Sequence, residues 1–413
     1  MAGWETKTLG EICEFQRGLT YGKSDEVDSS DNVVLRANNI DLATHSLDFT
    51  DLRYVSSSVS VPAAKLVCKG SLLICTASGS KSHLGKIAYV DEDYGYAFGG
   101  FMGQITPTPG VDGRYLYHAL TSSEYKAFIA ALSDGVNINN LKFDDLRHFS
   151  LPVPPLPEQQ RIVAILDEAF EGIATAKANA EQNLKNARDL FDGSLAKLFA
   201  QPGEGWESKS VSEWVAEGVL AKPQDGNHGE IHPTKADFVD VGVPFVMAAD
   251  LVAGDVDTVG CRFITESQAK SLRIGFAKSG DVLLSHKGTI GRVAILETSD
   301  DYVVLTPQVT YYRPLKSERV SKEFLYFCLM SPGFQSQMAE IAGAGSTRAY
   351  IGITKQLELN LTLPPIEEQL ALASKLGEIQ VASVRLAKIY EKKLAALDEL
   401  KKSLLHQAFT GLL

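Results

Sequence analysis

Residues 154–166 read PPLPEQQRIVAIL, and residues 364–376 read PPIEEQLALASKL. Each stretch opens on a proline pair, passes through Glu-Gln and runs into apolar residues at helical spacing. The two lie 210 positions apart in a chain of 413 residues. Proline suits the approach to a helix but not its interior, and acids suit the first turn. The motif therefore marks, twice, the start of a helix. Stepping alternately by four and three residues from 372 gives Leu372, Leu376, Ile379, Ser383, Leu386, Tyr390, Lys393, Leu397, Leu400 and Leu404. The matching positions 210 earlier are Ile162, Leu166, Ala169, Ile173, Ala176, Ala180, Asn183, Ala187, Leu190 and Ser194. Such a seam predicts a coiled coil, with Asn183 and Lys393 as matched polar interruptions that fix register.

The rest of the chain repeats in the same order. WETKTLGE (4–11) is answered by WESKSVSE (206–213), VLRANNI (34–40) by FVMAADL (245–251) and KGSLLICT (69–76) by SGDVLLSH (279–286). LGKIAYV (84–90) pairs likewise with IGRVAIL (290–296), and RYLYHAL (114–120) with EFLYFCL (323–329). Each copy joins a mixed part, with short β-branched runs between Gly, Ser and Asp turns, to one long helix. The expected fold class is α+β: two similar mixed α/β heads joined by two long helices that form an antiparallel coiled coil, with an internal pseudo-two-fold repeat. The boundaries read as a first head over 1–153, a first spacer helix and linker over 154–203, a second head over 204–363 and a second spacer helix over 364–413. A helix of about 40 residues spans ~60 Å, so antiparallel pairing makes the molecule a caliper with a head at each end.

Composition narrows the function. Five scattered cysteines (Cys13, Cys68, Cys75, Cys261, Cys328) show no CxxC spacing, and the histidines form no HExxH pattern, so neither a disulfide framework nor a metal site is expected. GSKSHLGKI (79–87) fails as a phosphate loop, because Ser80 stands where glycine is needed and Ile87 where a hydroxyl must meet magnesium. Asp91-Glu92-Asp93 reads as a turn. No catalytic residue is expected. The chain lacks an apolar run near the ~20 residues of a membrane span, and its start is not a signal peptide, which predicts a cytoplasmic protein. A net charge of −11 argues at first against a nucleic-acid partner. Two basic islands nevertheless interrupt the acidic chain. Residues 61–90 hold Lys65, Lys69, Lys81 and Lys86 without an acid, and residues 259–296 hold six basic residues against Glu266 and Asp281.

Polar loops fall beside these islands in both copies. The candidates are Arg17, Tyr21 and Lys23 in a Gly-containing loop, Arg36 and Asn38 after VVL, and Ser80, Lys81, His83 and Lys86. In the second copy they are His286, Lys287, Thr289 and Arg292. A further matched pair is Asn137, Asn139 and Asn140 with Ser346, Thr347 and Arg348. Arg reads guanine and Asn reads adenine bidentately, while cations and Gly-rich backbone approach phosphates.

On PPLPEQQRIVAILDEAF (154–170), PPIEEQLALASKL (364–376), LKKSLLHQAFTG (400–411), KGTIGRVAIL (287–296) and VLRANNI (34–40), the chain resembles the specificity subunits of type I restriction–modification enzymes over essentially its full length. The resemblance implies that the heads are target recognition domains, each reading half of a bipartite double-stranded DNA target, while the helices set the unread spacer. It implies no chemistry and no cofactor on this chain. Its partners would be modification subunits, two in number, that use S-adenosylmethionine to methylate adenine, and restriction subunits that use ATP and Mg. Glu367 departs from Pro157 of the first copy, a change at the helix start rather than in a reading loop. The competing reading is a two-headed protein-binding scaffold, which the acidic charge favours and which sequence-specific, salt-sensitive DNA binding excludes.

Overall fold

The computed structural model describes residues 4–42, 44–80, 83–133, 140–228, 232–343 and 350–413. It divides into two compact units, one of Met1–Glu181 with Glu391–Leu413 and one of Gln182–Tyr390. Lys81, Asn137, Asn139, Ser346, Thr347 and Arg348 lie outside the described residues.

In the first unit, strand Glu5–Thr8 pairs antiparallel with Ser150–Val153, immediately before the proline pair. One four-stranded sheet runs Cys13–Arg17, Met102–Pro107, Leu72–Cys75, Ile87–Tyr89, all antiparallel. The other runs Glu26–Val27, Arg53–Val55, Asn32–Leu35, Ala97–Phe98, with its last pair parallel. Alternation along a strand sends neighbouring side chains to opposite faces, which explains the unbroken apolar run LLIC. Leu72 and Ile74 pack with Tyr115, Leu116, Tyr125 and Ile129 of helices Gly113–Ala119 and Ser123–Ser133. Leu73 and Cys75 pack with Leu35, Ile40 and Phe98 on the other side.

The second unit repeats this plan strand for strand. Glu207–Ser210 pairs with Asn360–Leu363. Gln224–Asp225, Val309–Tyr312, Val282–Ser285 and Val293–Ile295 follow in the order of the first sheet, extended by the hairpin Leu251–Val252 and Asp255–Val256. Phe238–Val239, Arg262–Ile264, Val243–Val246 and Val303–Leu305 follow the second, and Phe276–Ala277 is added at the edge. Val282 and Leu284 face Phe324 and Phe334, while Leu283 faces Val246 and Leu305.

The repeated signature has one structural role in both units. Gln159 is fully buried; its Nε2 donates to the carbonyls of Gly110 (3.0 Å) and Pro154 (2.8 Å), and its Oε1 accepts the Asp112 N–H (2.8 Å). Gln369, equally buried, donates to the carbonyls of Arg319 (2.9 Å) and Pro364 (2.7 Å) and accepts the Ser321 N–H (3.0 Å). The amide thus rivets the helix start to the segment that begins a head helix, since Asp112 and Ser321 also cap Gly113–Ala119 and Lys322–Met330.

The long helices are Leu156–Ala200 and Ile366–Thr410, each of 45 residues. Within each unit they pair antiparallel. Lys177 Nζ meets Asp398 Oδ1 at 2.7 Å in the first unit, where Ile162 and Leu166 pack with Leu405 and Ala408. In the second, Ser383 Oγ donates to the Ala187 carbonyl, and Phe191 and Leu195 pack in one core with Ala373 and Leu376. The seam differs in detail from the heptad expectation. Ile162, Leu166 and Ile173 are buried, as is Leu376, and Leu372, Ile379, Tyr390, Leu397 and Leu404 are half-buried. Asn183 and Lys393 are exposed, however, as are Leu190 (45%), Leu386 and Leu400 (47%); the inward positions there are Leu184, Phe191, Ala387, Leu394 and Lys401. The buried stripe advances by about 3.6 residues per turn rather than 3.5, so it slips one position past the middle of each helix. Asn183 and Lys393 therefore fix no register. Among the described residues no helix is long and apolar enough to cross a membrane.

Candidate nucleic-acid interface

Strand order brings the polar loops of each head to one corner. Met102–Pro107 lies between Cys13–Arg17 and Leu72–Cys75 and runs antiparallel to both, so the C-terminal ends of the outer strands flank its N-terminal end. Arg17-Gly18-Leu19 leaves on one side and Thr76-Ala77 on the other. The two are tied across Phe98–Phe101: the Leu19 N–H donates to Phe98 O (2.7 Å), and the Thr76 and Ala77 N–H groups donate to Phe101 O (3.0 and 3.2 Å). Asn140 closes the corner by bridging to Ala77, with the Leu141 N–H donating to Thr76 O at 2.6 Å. The loops around Ser80 and His83 and around Asn140, about sixty residues apart in sequence, therefore meet at one strand end.

The second head reproduces the arrangement. Val309–Tyr312 lies between Gln224–Asp225 and Val282–Ser285. The His286 N–H donates to Gln308 O (2.9 Å), Lys287 bridges to Tyr350, and the Ile351 N–H donates to His286 O (3.0 Å). Gly18 and Gly226 explain how the strands come so close. A Cβ on Gly18 would lie 2.0 Å from the Gly99 carbonyl oxygen, and one on Gly226 would lie 1.8 Å from that of Leu305.

The individual candidates divide sharply. Arg17, Lys23, Ser80, Asn140, Lys287 and Thr289 are exposed, and Tyr21 and His83 are half-buried. Arg36 follows Leu35, whose carbonyl accepts the Gly99 N–H, so it shares that edge. Its Nη2 meets Asp51 Oδ2 at 3.1 Å, and Asn38 Nδ2 donates to the same oxygen at 2.7 Å. Asp51 thus engages both in the free chain.

Three candidates turn their side chains to backbone carbonyls of their own head. Lys86 is buried and its Nζ donates to the Ile40 carbonyl at 2.8 Å, where burial lowers its pKa. Arg292, its counterpart, remains exposed but directs Nη1 to the Ala248 carbonyl at 3.2 Å, clamping the same turn of the second head. His286 is fully buried; its Nδ1 donates to the Ile351 carbonyl at 2.9 Å, and burial lowers its pKa against the opposing pull of Asp225. Its Nε2 has no hydrogen bond and lies 3.8 Å from Asp225 Oδ2. These three groups brace the corner rather than face a ligand.

The sequence analysis missed Phe101, His228, Gln308 and Tyr350, which all stand exposed at these corners. His228 Nε2 donates to Asp225 Oδ2 at 2.8 Å. The signal that could have found it is the strand-end glycine shared by Arg17-Gly18 and Asp225-Gly226. Asp91-Glu92-Asp93 serves the turn, with Asp93 accepting the Lys69 N–H at 2.7 Å. Among the described residues no group of three or more His, Cys, Asp or Glu side chains is placed to hold a metal ion.

Comparison with known proteins gives consistent findings. The family described as type I restriction modification DNA specificity domain matches residues 1–186 and 233–388. The chain is 26% identical over 422 residues to the type I restriction enzyme EcoKI specificity subunit of Escherichia coli (strain K12), covering 99% of this chain and 89% of that one. It is 25% identical over 428 residues to the StySPI specificity subunit of Salmonella potsdam, with the same coverage. Among solved structures, the HsdS subunit from Thermoanaerobacter tengcongensis matches with a TM-score of 0.63 at 20% identity, over 100% of this chain and 98% of that one. A chain from a study of assembly and conformational transition in a type I R-M system matches with a TM-score of 0.74 at 20% identity, over 100% and 99%. These structures share the fold.

Proposed function

Because the chain belongs to the type I restriction–modification DNA specificity family, we propose that it is the subunit that selects the DNA sequence on which its partner subunits act, and that it performs no chemistry itself. Residues 1–153 and 204–363 act as target recognition domains, each reading one half of a bipartite duplex target. Residues 154–203 and 364–413 set the spacer. The observation that carries this reading is the matched corner: in both heads, loops far apart in sequence converge on the end of the same sheet. Arg17 and Lys287 are exposed there for phosphate contact, with Lys23 exposed further along the first loop, and Asn140 and Thr289 are exposed for base edges. Tyr21, Ser80 and His83 complete the described candidates; Lys81, Asn137, Asn139, Ser346, Thr347 and Arg348 belong to the same loops in sequence.

Methyl transfer to adenine from S-adenosylmethionine falls to modification subunits, two per chain, matching the two heads. Cleavage with ATP and Mg falls to restriction subunits, and the assembly works in the cytoplasm. The test is methylation mapping of DNA from cells expressing the chain with its modification subunit. One split motif, methylated at adenine in each half and absent without this chain, is the expected result. An active methyltransferase that assembles with the chain yet leaves no motif overturns the reading.

A further inference from the structure

Two aromatic side chains differ from every other in their exposure. Among the described Phe, Tyr and Trp residues, only Phe101 (74%) and Tyr350 (46%) are exposed. Aromatic rings contribute most when removed from water, so rings held outward on a pinned backbone are suited to a partner. Both stand at the interface corner of their own head, at different places within it. Phe101 enters the central strand, and its carbonyl accepts three hydrogen bonds, from the N–H groups of Thr76 and Ala77 and from Thr76 Oγ1 (3.0 Å). Tyr350 lies across from Lys287, its ring centroid 5.6 Å from the His286 ring and 5.7 Å from Lys287 Nζ.

The counterpart positions complete the pattern. Tyr350 corresponds to Asn140, since each bridges to the residue after its strand (Lys287 and Ala77). Phe101 corresponds to Gln308, since each gives its carbonyl to that strand end. Asn140 and Gln308 are both exposed. Each head therefore sets one aromatic ring and one primary amide around the same strand end, with their places exchanged. A carboxamide offers a donor and an acceptor side by side, the pattern that pairs bidentately with an adenine edge. An apolar ring can enter a base step and stack there. Exposed cations stand beside each pair, Arg17 in the first head and Lys287 in the second, so the surround suits a phosphate-bearing partner.

We propose that each half-site is read by an aromatic–amide pair, Phe101 with Asn140 in the first head and Tyr350 with Gln308 in the second, the ring stacking on one base and the amide reading a base edge beside it. This rests on the DNA-selecting function proposed above. The test uses the complete chain assembled with its modification subunits, bound to duplexes carrying the mapped target in which each base of each half-site is removed in turn. Wild-type complex is expected to lose roughly tenfold in affinity at one abasic position per half-site through lost stacking. Phe101→Ala should bind the intact target roughly tenfold more weakly, lose nothing further at that position in the first half-site, and leave the second half-site profile unchanged. Tyr350→Ala should give the mirror result, and Phe101→Trp should keep the wild-type profile. The proposal is overturned if wild-type complex discriminates its target while Phe101→Ala and Tyr350→Ala bind within twofold of it. It is equally overturned if these variants fail to assemble with the modification subunits, because the rings then contact protein. A wild-type complex that prefers no sequence sinks the earlier reading instead, a distinguishable outcome.

Discussion

Substituting Gln159 probes the joint between head and helix. Gln159→Ala removes three hydrogen bonds and leaves the Gly110 and Pro154 carbonyls and the Asp112 N–H unpaired beneath a fully buried position. A buried polar group stranded in this way costs about 1–3 kcal/mol. Three of them, with the lower end taken for each because water can enter the vacated space, give about 3 kcal/mol. Gln159→Glu separates hydrogen-bond polarity from packing, because the shape is kept while a donor becomes an acceptor facing two carbonyls. The introduced carboxyl has its folded pKa raised above the ordinary value near 4.3. Its folded form is therefore favoured below that value and penalised as pH rises through the folded pKa. Gln159→Glu should accordingly be strongly destabilised at pH 7 and partly recover toward pH 5. Urea denaturation of the full chain, with hydrogen exchange reporting on residues 110–112 and 154–162, measures both. Gln369→Ala serves as an independent repeat in the second unit. A cost below about 1 kcal/mol for Gln159→Ala, or a Gln159→Glu variant without acid recovery, would refute the reasoning.

Glycine substitutions should split by sign. Gly172→Ala and Gly377→Ala meet nothing within 4 Å in their helices and should each stabilise by about 0.5–1 kcal/mol in thermal melts. Gly18→Ala and Gly226→Ala drive a Cβ into a carbonyl oxygen and should cost about 1–3 kcal/mol or more. His118 is buried, which lowers its pKa, although its Nε2 donates to Asp167 Oδ1 at 2.8 Å. A depressed folded pKa gives stability that is present above the unfolded value near 6.5 and lost as pH falls. His118→Phe, which copies Phe327 of the second unit, should therefore flatten the decline of melting temperature between pH 7 and 5. Asp51→Asn removes the carboxylate that engages Arg36 and Asn38, and it should tighten DNA binding by the assembled complex and steepen its salt dependence. Unchanged affinity and slope would remove Arg36 from the interface.

Much of the fold was readable because its strongest signals are local or repeated. The proline pairs punctuate the chain wherever it is read, and two divergent copies in one order imply one plan used twice. The two-sheet layering was not legible. LLIC and VLLS show no alternation, since both faces of their strand are covered. The seam carries a period of 3.6 rather than 3.5: the two coincide over the first turns, so Ile162, Leu166 and Ile173 fit both, and they part from Asn183 and Leu386 onward. The site was legible as loops but not residue by residue. Lys86 and Lys287 are the same amino acid beside the same glycine-rich turns, yet one ammonium finds a carbonyl inside the head and the other faces out. Phe101 and Tyr350 carried no motif. Their meaning is positional and emerges only when strand order brings residues 76–77, 99–101 and 140 together.

The riveting amides have a consequence for how such a molecule can change. Every partner of Gln159 and Gln369 is a backbone atom: a carbonyl or N–H of Gly110, Pro154 and Asp112, and of Arg319, Pro364 and Ser321. Backbone groups are common to nearly all residues, so the fastening asks almost nothing of the side chains it holds. Asp112 and Ser321 already differ at the equivalent place while giving the same N–H. The surface of a head can therefore drift, or be replaced wholesale by another of the same strand order, without loosening its attachment to the helix. The mounting can stay constant while the head that it carries changes.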